Sequence, residues 1–380
     1  MAVIPPLTYA EIDLNALAHN MRQFRKLVGS RVLIAPAVKA NAYGHGLVPV
    51  AGTLVQNGAS RLCVARIEEG VALREGGISE PILVFGNIFP DYFETLCRYD
   101  LTASISTTEL AEAFSMFCSS SGRSLKVHLK IDTGMGRLGM QADGRLSGIL
   151  DEIESVSKLP GLELEGIYSH FASADHLDKS YARCQFDLFK AVLDGLEKRG
   201  IRIPIRHMAN SAALIEMPEA HLDMVRPGIA TYGLYPSAET DRSLIPLKPA
   251  MSLKSRIIYV KDVPAGGKIS YGSTYTVKEA TRIATVAIGY ADGYSRQFSN
   301  RGFMLVNGTK APVVGRVCMD LILLDVGHLA DVNEGDEVVI FGQQKDESIE
   351  VDELAHILGT INYEIVSTLA DRVVRRYRTS

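Results

Sequence analysis

The chain has 380 residues, room for one large domain and a smaller one, each with its own core. Hydrophobic residues are 47% and charged ones 22%, an ordinary globular balance, and a net charge of −4 gives no electrostatic case for nucleic acid or an anionic membrane. No apolar run approaches the ~20 residues of a membrane span, and the N-terminus shows no basic and apolar leader, so a cytoplasmic location is expected.

Cys63, Cys97, Cys118, Cys184 and Cys318 contain no C-x-x-C pair, and the scattered histidines match no ligand spacing. Neither a disulfide framework nor a metal centre is expected. In chain order, residues 14–28 place Leu14, Leu17, Ala18, Met21, Phe24 and Val28 on one helical face, with Asp13 as N-cap and Gly29 as the stop. Residues 32–38 are a β-branched, apolar run with the composition of a strand buried on both faces. That run ends on Lys39, and Gly44, His45 and Gly46 then signal a turn. Desolvation at such a strand exit lowers an amine's pKa towards the range of a nucleophile or base.

Further strand candidates follow at 61–65, 82–85, 103–105, 126–131, 166–168, 205–208 and 224–225, most separated by helical stretches such as 181–198. Eight strands alternating with helices over about 225 residues fit an α/β fold, a (β/α)8 TIM-type barrel; an open doubly wound sheet is the alternative. Residues 235–250 carry three prolines and read as a linker. Short β-rich runs at 253–260, 282–288, 304–306, 311–314, 321–325 and 337–341 follow, with helices expected at 351–358 and 363–370. The expected domains are a barrel over 1–240, with residues 1–12 free to pack on the other domain, and a mostly β C-terminal domain over 241–380.

Gly134, Gly136 and Gly139 satisfy G-x-G-x-x-G, a dinucleotide fingerprint when it opens the helix of a first βαβ unit. Here it lies beyond the fourth strand candidate, which argues against a dinucleotide.

AVKANAYGHG at 37–46, IDTGMGRLG at 131–139, SHFASAD at 169–175, MANSAA at 208–213 and VRPGIATYG at 225–233 together resemble alanine racemase. ISYGSTY at 269–275, GYADGYSR at 289–296, GRVCMD at 315–320 and INYE at 361–364 continue the resemblance in order over nearly the whole chain. It implies a pyridoxal 5'-phosphate-dependent isomerase that interconverts L- and D-alanine by a two-base mechanism, supplying D-alanine for peptidoglycan. A serine or broader-specificity racemase is the near alternative. A non-catalytic protein that carries the cofactor is the alternative of a different class, and the β domain with Tyr271 argues against it.

The resemblance also implies roles. Lys39 holds the cofactor and serves one face of the substrate Cα; Tyr271 serves the other, with His170 as helper, because a phenol needs help to act as a base at neutral pH. Arg226 would face the cofactor's ring nitrogen and, never losing its proton, keep that nitrogen unprotonated. The phosphate would rest on Tyr43, Ser211, Gly228, Ile229 and Tyr363 beside Asn210, with Gly228 and Ile229 expected to open a helix. Arg137 would clamp the substrate carboxylate, supported by Lys130, which the family often carbamylates. Met319 and Asp320 would come, like Tyr271, from the partner of a homodimer. Asp175, Tyr290, Arg296 and Arg316 would line the entryway.

Overall fold

The computed structural model describes residues 5–379; whatever part of the expected N-terminal packing falls on residues 1–4 lies outside the described residues. Two compact units are present. One comprises Ala16–Ala42 and Leu47–Lys248; the other comprises the described residues up to Asn15, Tyr43–Gly46 and those from Pro249 onward.

In the first unit eight parallel strands run through Leu33–Ile34, Leu62–Val64, Ile82–Val84, Thr102–Ile105, Leu125–Asp132, Leu162–Tyr168, Ile205–His207 and Met224–Val225. The second to the seventh pair in sequence, and the eighth pairs with the first through Met224 and Leu33. Backbone bonds complete the ring: Ala37 bridges Cys63, and Arg226 N donates to Ala209 O at 2.9 Å. That closure replaces the open-sheet alternative with a barrel. Leu62–Val64 and Ile82–Val84 are buried at every position, which explains why such strands read as unbroken apolar runs.

The first strand is shorter than the expected 32–38. Pro36 has no N–H to give a ladder, so regular pairing stops at Ile34. The extended segment is still tied on both sides, by Ala37 N to Pro227 O at 2.8 Å and Cys63 N to Pro36 O at 2.9 Å. Helix Leu14–Val28 buries Leu17, Met21 and Phe24 and stops at Gly29, whose φ of +75° suits glycine. Helix Ser180–Lys198 buries Phe186, Phe189, Val192 and Leu196. The expected linker is ordered up to Lys248: Tyr235 Oη donates to Ile245 O at 2.8 Å, and Asn20 exchanges two hydrogen bonds with the Lys248 backbone.

The second unit is built on a nine-stranded sheet. Its long strand Met251–Val263 pairs antiparallel with Tyr9–Asp13, Thr281–Val286 and Glu337–Gln344. Phe303–Val306, Thr309–Pro312 and Ile322–Asp325 complete most of it, and helices Val351–Leu358 and Asn362–Ser367 follow. The last helix ends three residues short of the expected 370. Two strands, Tyr9–Asp13 and Val374–Arg378, carry no strong strand signal in the sequence. They pair in parallel, with the Arg376 guanidinium 4.0 Å from the Tyr9 ring centroid and Arg378 bridging to Asp13. Among the described residues no helix is long and apolar enough to cross a membrane.

Candidate active site

Lys39 leaves the first barrel strand into a backbone unlike the expected glycine turn. Ala40, Asn41, Ala42 and Tyr43 all have φ between 52° and 54°, four consecutive non-glycine residues in the left-handed region. Each such residue costs roughly 1–2 kcal/mol, so the turn persists only because its surroundings hold it. Glu69 is one holder: its carboxylate accepts from Ala40 N at 2.6 Å and from Ala65 N at 2.8 Å. Asn41 is another, accepting from Leu47 N at 2.8 Å. The Lys39 amine is half-buried, and burial lowers its pKa, with the nearby Arg137 charge adding to the effect and Glu69 opposing it.

Arg226 follows the eighth strand and is buried. Its Nη1 donates to His207 Nδ1 at 2.6 Å, and its Nη2 reaches Ser169 O at 2.8 Å, Met208 O at 3.2 Å and His170 Nδ1 at 3.3 Å. All four partners are neutral acceptors, so no carboxylate competes for this cation. Tyr168 stacks on His207 and lies 5.1 Å from the guanidinium. Burial, then the Arg226 charge, drive His170 well below the usual histidine value, so it is neutral. Lys130 is buried with its amine 4.9 Å from the Tyr168 ring; burial and then the Arg226 and Arg137 charges push it down to about 7.

Arg137 is exposed, on the loop after Leu125–Asp132. The G-x-G-x-x-G segment opens no helix there. Asp132 Oδ1 accepts from the N–H groups of Gly134, Met135 and Gly136, and a Cβ at Gly139 would lie 2.8 Å from Asp132 N. These glycines therefore build a tight loop around the chain's own carboxylate.

Asn210 caps helix Ser211–Glu216 by accepting from Ala213 N at 3.0 Å. The buried Ser211 Oγ accepts from Gly228 N at 2.8 Å and Ala230 N at 3.2 Å, which leaves its own hydrogen to donate. The helix expected to open at Gly228 and Ile229 is a single 3-10 turn, Ile229–Tyr232, stopped by Gly233 at φ +82°. Asp175 lies in the same unit, its carbonyl accepting from Ser237 Oγ at 2.6 Å.

The other named residues belong to the second unit. Tyr43 and Tyr363 bring their ring centroids to 6.1 Å. Tyr271 is 70% exposed, on a 3-10 turn preceded by Ser270 at φ +61°. Ser270 Oγ donates to Arg316 O at 2.6 Å, and the Arg316 guanidinium lies against Gly272. Tyr290 and Met319 stand on paired segments: Tyr290 N donates to Cys318 O at 3.1 Å and Ala291 N to Met319 O at 3.0 Å. Gly289 permits this approach, since a Cβ there would sit 2.2 Å from Met319 O. Asp320 is held by Arg372 Nη2 at 2.8 Å, and Arg372 also bridges to Asp292 at 2.6 Å. Arg296 opens the turn Arg296–Phe298, and its carbonyl accepts from Ser299 Oγ at 2.6 Å. The unit thus brings together Tyr271 with Arg316 and Tyr290 with Met319.

Two family models match in tandem, the alanine racemase N-terminal domain over residues 12–236 and the alanine racemase C-terminal domain over residues 250–377. The chain belongs to the alanine racemase family. It is similar to the alanine racemase of Desulforamulus reducens, 50% identical over 97% of this chain and 98% of that one. The solved alanine racemase of Clostridium difficile 630 superposes with a TM-score of 0.94 at 39% identity, covering 99% and 97% of the two chains. The Bartonella henselae alanine racemase, solved with covalently bound pyridoxal phosphate, gives a TM-score of 0.89 at 27% identity over 98% of this chain and all of that one.

Glu69, His207, His128, Glu165, Arg61 and Tyr168 also belong to the bonded surroundings of Lys39 and Arg226, and none lies in a motif that marks it. One signal was available. Lys126, His128, Lys130 and Asp132 alternate with Leu125, Val127, Leu129 and Ile131, which puts four polar groups on one face of a barrel strand.

Proposed function

We propose that this chain is a pyridoxal 5'-phosphate-dependent alanine racemase in which Lys39 and Tyr271 are the two bases. The observation that carries the reading is the pairing, at the strand ends of one barrel, of a lysine amine lowered by burial with a buried arginine whose partners are all neutral. The cofactor's demands are met by residues present. Lys39 is an amine able to bond its carbonyl carbon. Arg226 offers N–H donors to a ring nitrogen. The Ser211 hydroxyl and the Ile229 N–H beside Gly228 would donate to a phosphate next to Asn210, and the hydroxyls of Tyr43 and Tyr363 would add to them.

When bound, the cofactor supplies an electron-accepting ring that makes the substrate's α-proton removable. Lys39 Nζ then takes or returns that proton on one face of Cα, which its lowered pKa favours at neutral pH. The Tyr271 hydroxyl does the same on the opposite face. It is exposed on its own unit, as a group serving a partner's site would be, and a homodimer with composite sites follows from that role. Met319 and Asp320 come with it. Arg226, always protonated, keeps the ring nitrogen unprotonated, which favours return of the proton to Cα over transamination. His170, neutral and in contact with Arg226, is the helper for Tyr271.

Arg137 is the bidentate clamp for the substrate carboxylate. Lys130, pushed down to about 7, can in its neutral form add carbon dioxide through its nitrogen and release a proton, giving the carbamate anion that would hold Arg137. Tyr363 and Tyr271 narrow the pocket to a methyl side chain, and Asp175, Tyr290, Arg296 and Arg316 form its entryway. The barrel and the β unit are the two domains, the latter supplying Tyr271 and dimer contacts in a cytoplasmic enzyme.

The test is to follow D-alanine from L-alanine with a coupled oxidase, using purified protein and cofactor. The reading predicts D-alanine and, after borohydride, cofactor fixed on the peptide that holds Lys39. No D-alanine, or cofactor fixed on another lysine, rejects it.

A further inference from the structure

Arg226 is one end of a buried polar line that no step so far uses. From His207, whose Nδ1 faces Arg226 Nη1 at 2.6 Å, the line runs through His207 Nε2 to His128 Nδ1 at 2.7 Å. It continues from His128 Nε2 to Glu165 Oε2 at 3.0 Å, where Arg61 Nη2 also ends at 2.6 Å. His128 and His207 are fully buried, and the side chains of Arg61 and Glu165 are 4% and 18% exposed.

The guanidinium of Arg226 at one end and the carboxylate of Glu165 at the other set the direction of the line. A guanidinium has donors only, so His207 Nδ1 must accept and its hydrogen must sit on Nε2. His128 Nδ1 must then accept as well, which places the His128 hydrogen on Nε2, aimed at the carboxylate. Arg61 Nη1 lies 3.0 Å from that same nitrogen but finds no lone pair there, so Glu165 Oε2 takes both the His128 hydrogen and Arg61 Nη2. Burial keeps both rings neutral: His128 falls to about 4 and His207 well below the ordinary value. The Arg61 and His128 donors in turn hold Glu165 down to about 2, against its burial, so it stays an anion.

The backbone is shaped for this line. The register between the strands carrying His128 and Glu165 shifts at Val127/His128, and His128 then stands opposite Gly166. A Cβ at Gly166 would lie 2.4 Å from His128 Nδ1 and Cε1, so only glycine leaves room for the ring. His207 is clamped in plane by Tyr168, with ring centroids 4.8 Å apart and planes 5° from parallel.

We propose that Glu165, His128 and His207 are positioning residues for Arg226, a one-way hydrogen-bond column across the barrel that ties its guanidinium to a distant carboxylate and fixes its orientation. The inference rests on the reading that Arg226 faces the cofactor's ring nitrogen. With the column intact, Arg226 is held still by an acceptor that cannot become a donor. With it cut, His207 loses its fixed tautomer, the guanidinium gains freedom to turn, and control of the ring nitrogen weakens.

Two variants separate the column from simple packing. His128→Gln keeps an acceptor for His207 and a donor for Glu165; His128→Phe keeps the ring volume and cuts the line. On cofactor-loaded enzyme, racemisation turnovers are counted per transamination event. His128→Phe should lower that ratio at least about tenfold, as loss of an outer partner typically does, while His128→Gln should stay within about threefold of the parent. In the parent, nitrogen-15 solid-state NMR of labelled histidine should show His128 and His207 as neutral, Nε2-protonated rings at pH 7. A folded His128→Phe enzyme with the parental ratio overturns the column, as does either ring found protonated or in the Nδ1–H form. If His128→Phe does not fold, the parent's NMR spectrum decides alone. A parent that makes no D-alanine rejects the enzyme reading instead, and the spectrum still judges the column.

Discussion

Lys39 follows the first barrel strand and Arg226 the eighth, and burial lowers both from their ordinary values. The two cations respond differently because of where each starts and what each touches. A lysine can be brought towards neutrality and become a nucleophile or base, whereas an arginine stays charged at any physiological pH. Their settings match these ends. Lys39 sits beside a strained left-handed turn, with exposed Ala40 and Asn41 next to it. Arg226 is enclosed, with two histidine nitrogens and two carbonyls on its guanidinium. The lesson is that the same desolvation of a barrel end lowers both cations, yet only the lysine can give up its proton within the physiological range.

Removing the movable partner should have the largest effect. Lys39→Ala should abolish borohydride trapping and cut racemisation by about 10⁴-fold, the upper range for one acid–base group. Residual activity within about tenfold of the parent would mean another residue serves that face.

Lys130 extends the comparison to a second lysine. At about 7 in place of its ordinary 10.5, its amine is mostly neutral above pH 7 and protonated below it. A carbamate forms only from the neutral amine. Carbon-13 NMR of protein in labelled bicarbonate should therefore show a carbamate near pH 8 that fades below pH 6 and is missing from Lys130→Met. A spectrum with no carbamate anywhere in that range would place Lys130 among the permanently charged groups with Arg226.

The smallest effect concerns the strain beside Lys39. Ala40 is exposed, so Ala40→Gly removes a Cβ from a left-handed position without opening a cavity. It should raise stability by ~0.5–1 kcal/mol in denaturant titrations, the left-handed penalty less glycine's extra chain entropy. Lower stability would show that the turn is not under strain.

The barrel was legible because its strands are short, apolar and buried on both faces, so that even Met224–Val225 stands out between polar neighbours. Lys39 and Arg226 were legible from their places at strand ends and from the blocks around them. The left-handed turn was not, since Ala40 to Tyr43 contain no glycine and the conformation is imposed by Glu69 and Asn41 through contacts that no local pattern reveals. The column was hidden for a related reason. Arg61 precedes the strand Leu62–Val64, and His128, Glu165 and His207 come from three other strands, so no single segment shows the line. Val374–Arg378 was missed because its strand is held by arginine contacts to Tyr9 and Asp13 rather than by apolar residues.

The central claim, two bases supplied by two subunits, is tested most directly by mixing Lys39→Ala chains with Tyr271→Phe chains under conditions that exchange subunits. Each variant alone should be nearly inactive. In a heterodimer, one site receives Lys39 from the Tyr271→Phe chain and Tyr271 from the Lys39→Ala chain. An equal mixture should then recover about a quarter of parental racemisation, because random pairing makes half the dimers mixed and one of their two sites complete. A mixture that demonstrably forms heterodimers yet stays inactive would contradict the account, placing both residues in one chain or removing one of them from the chemistry.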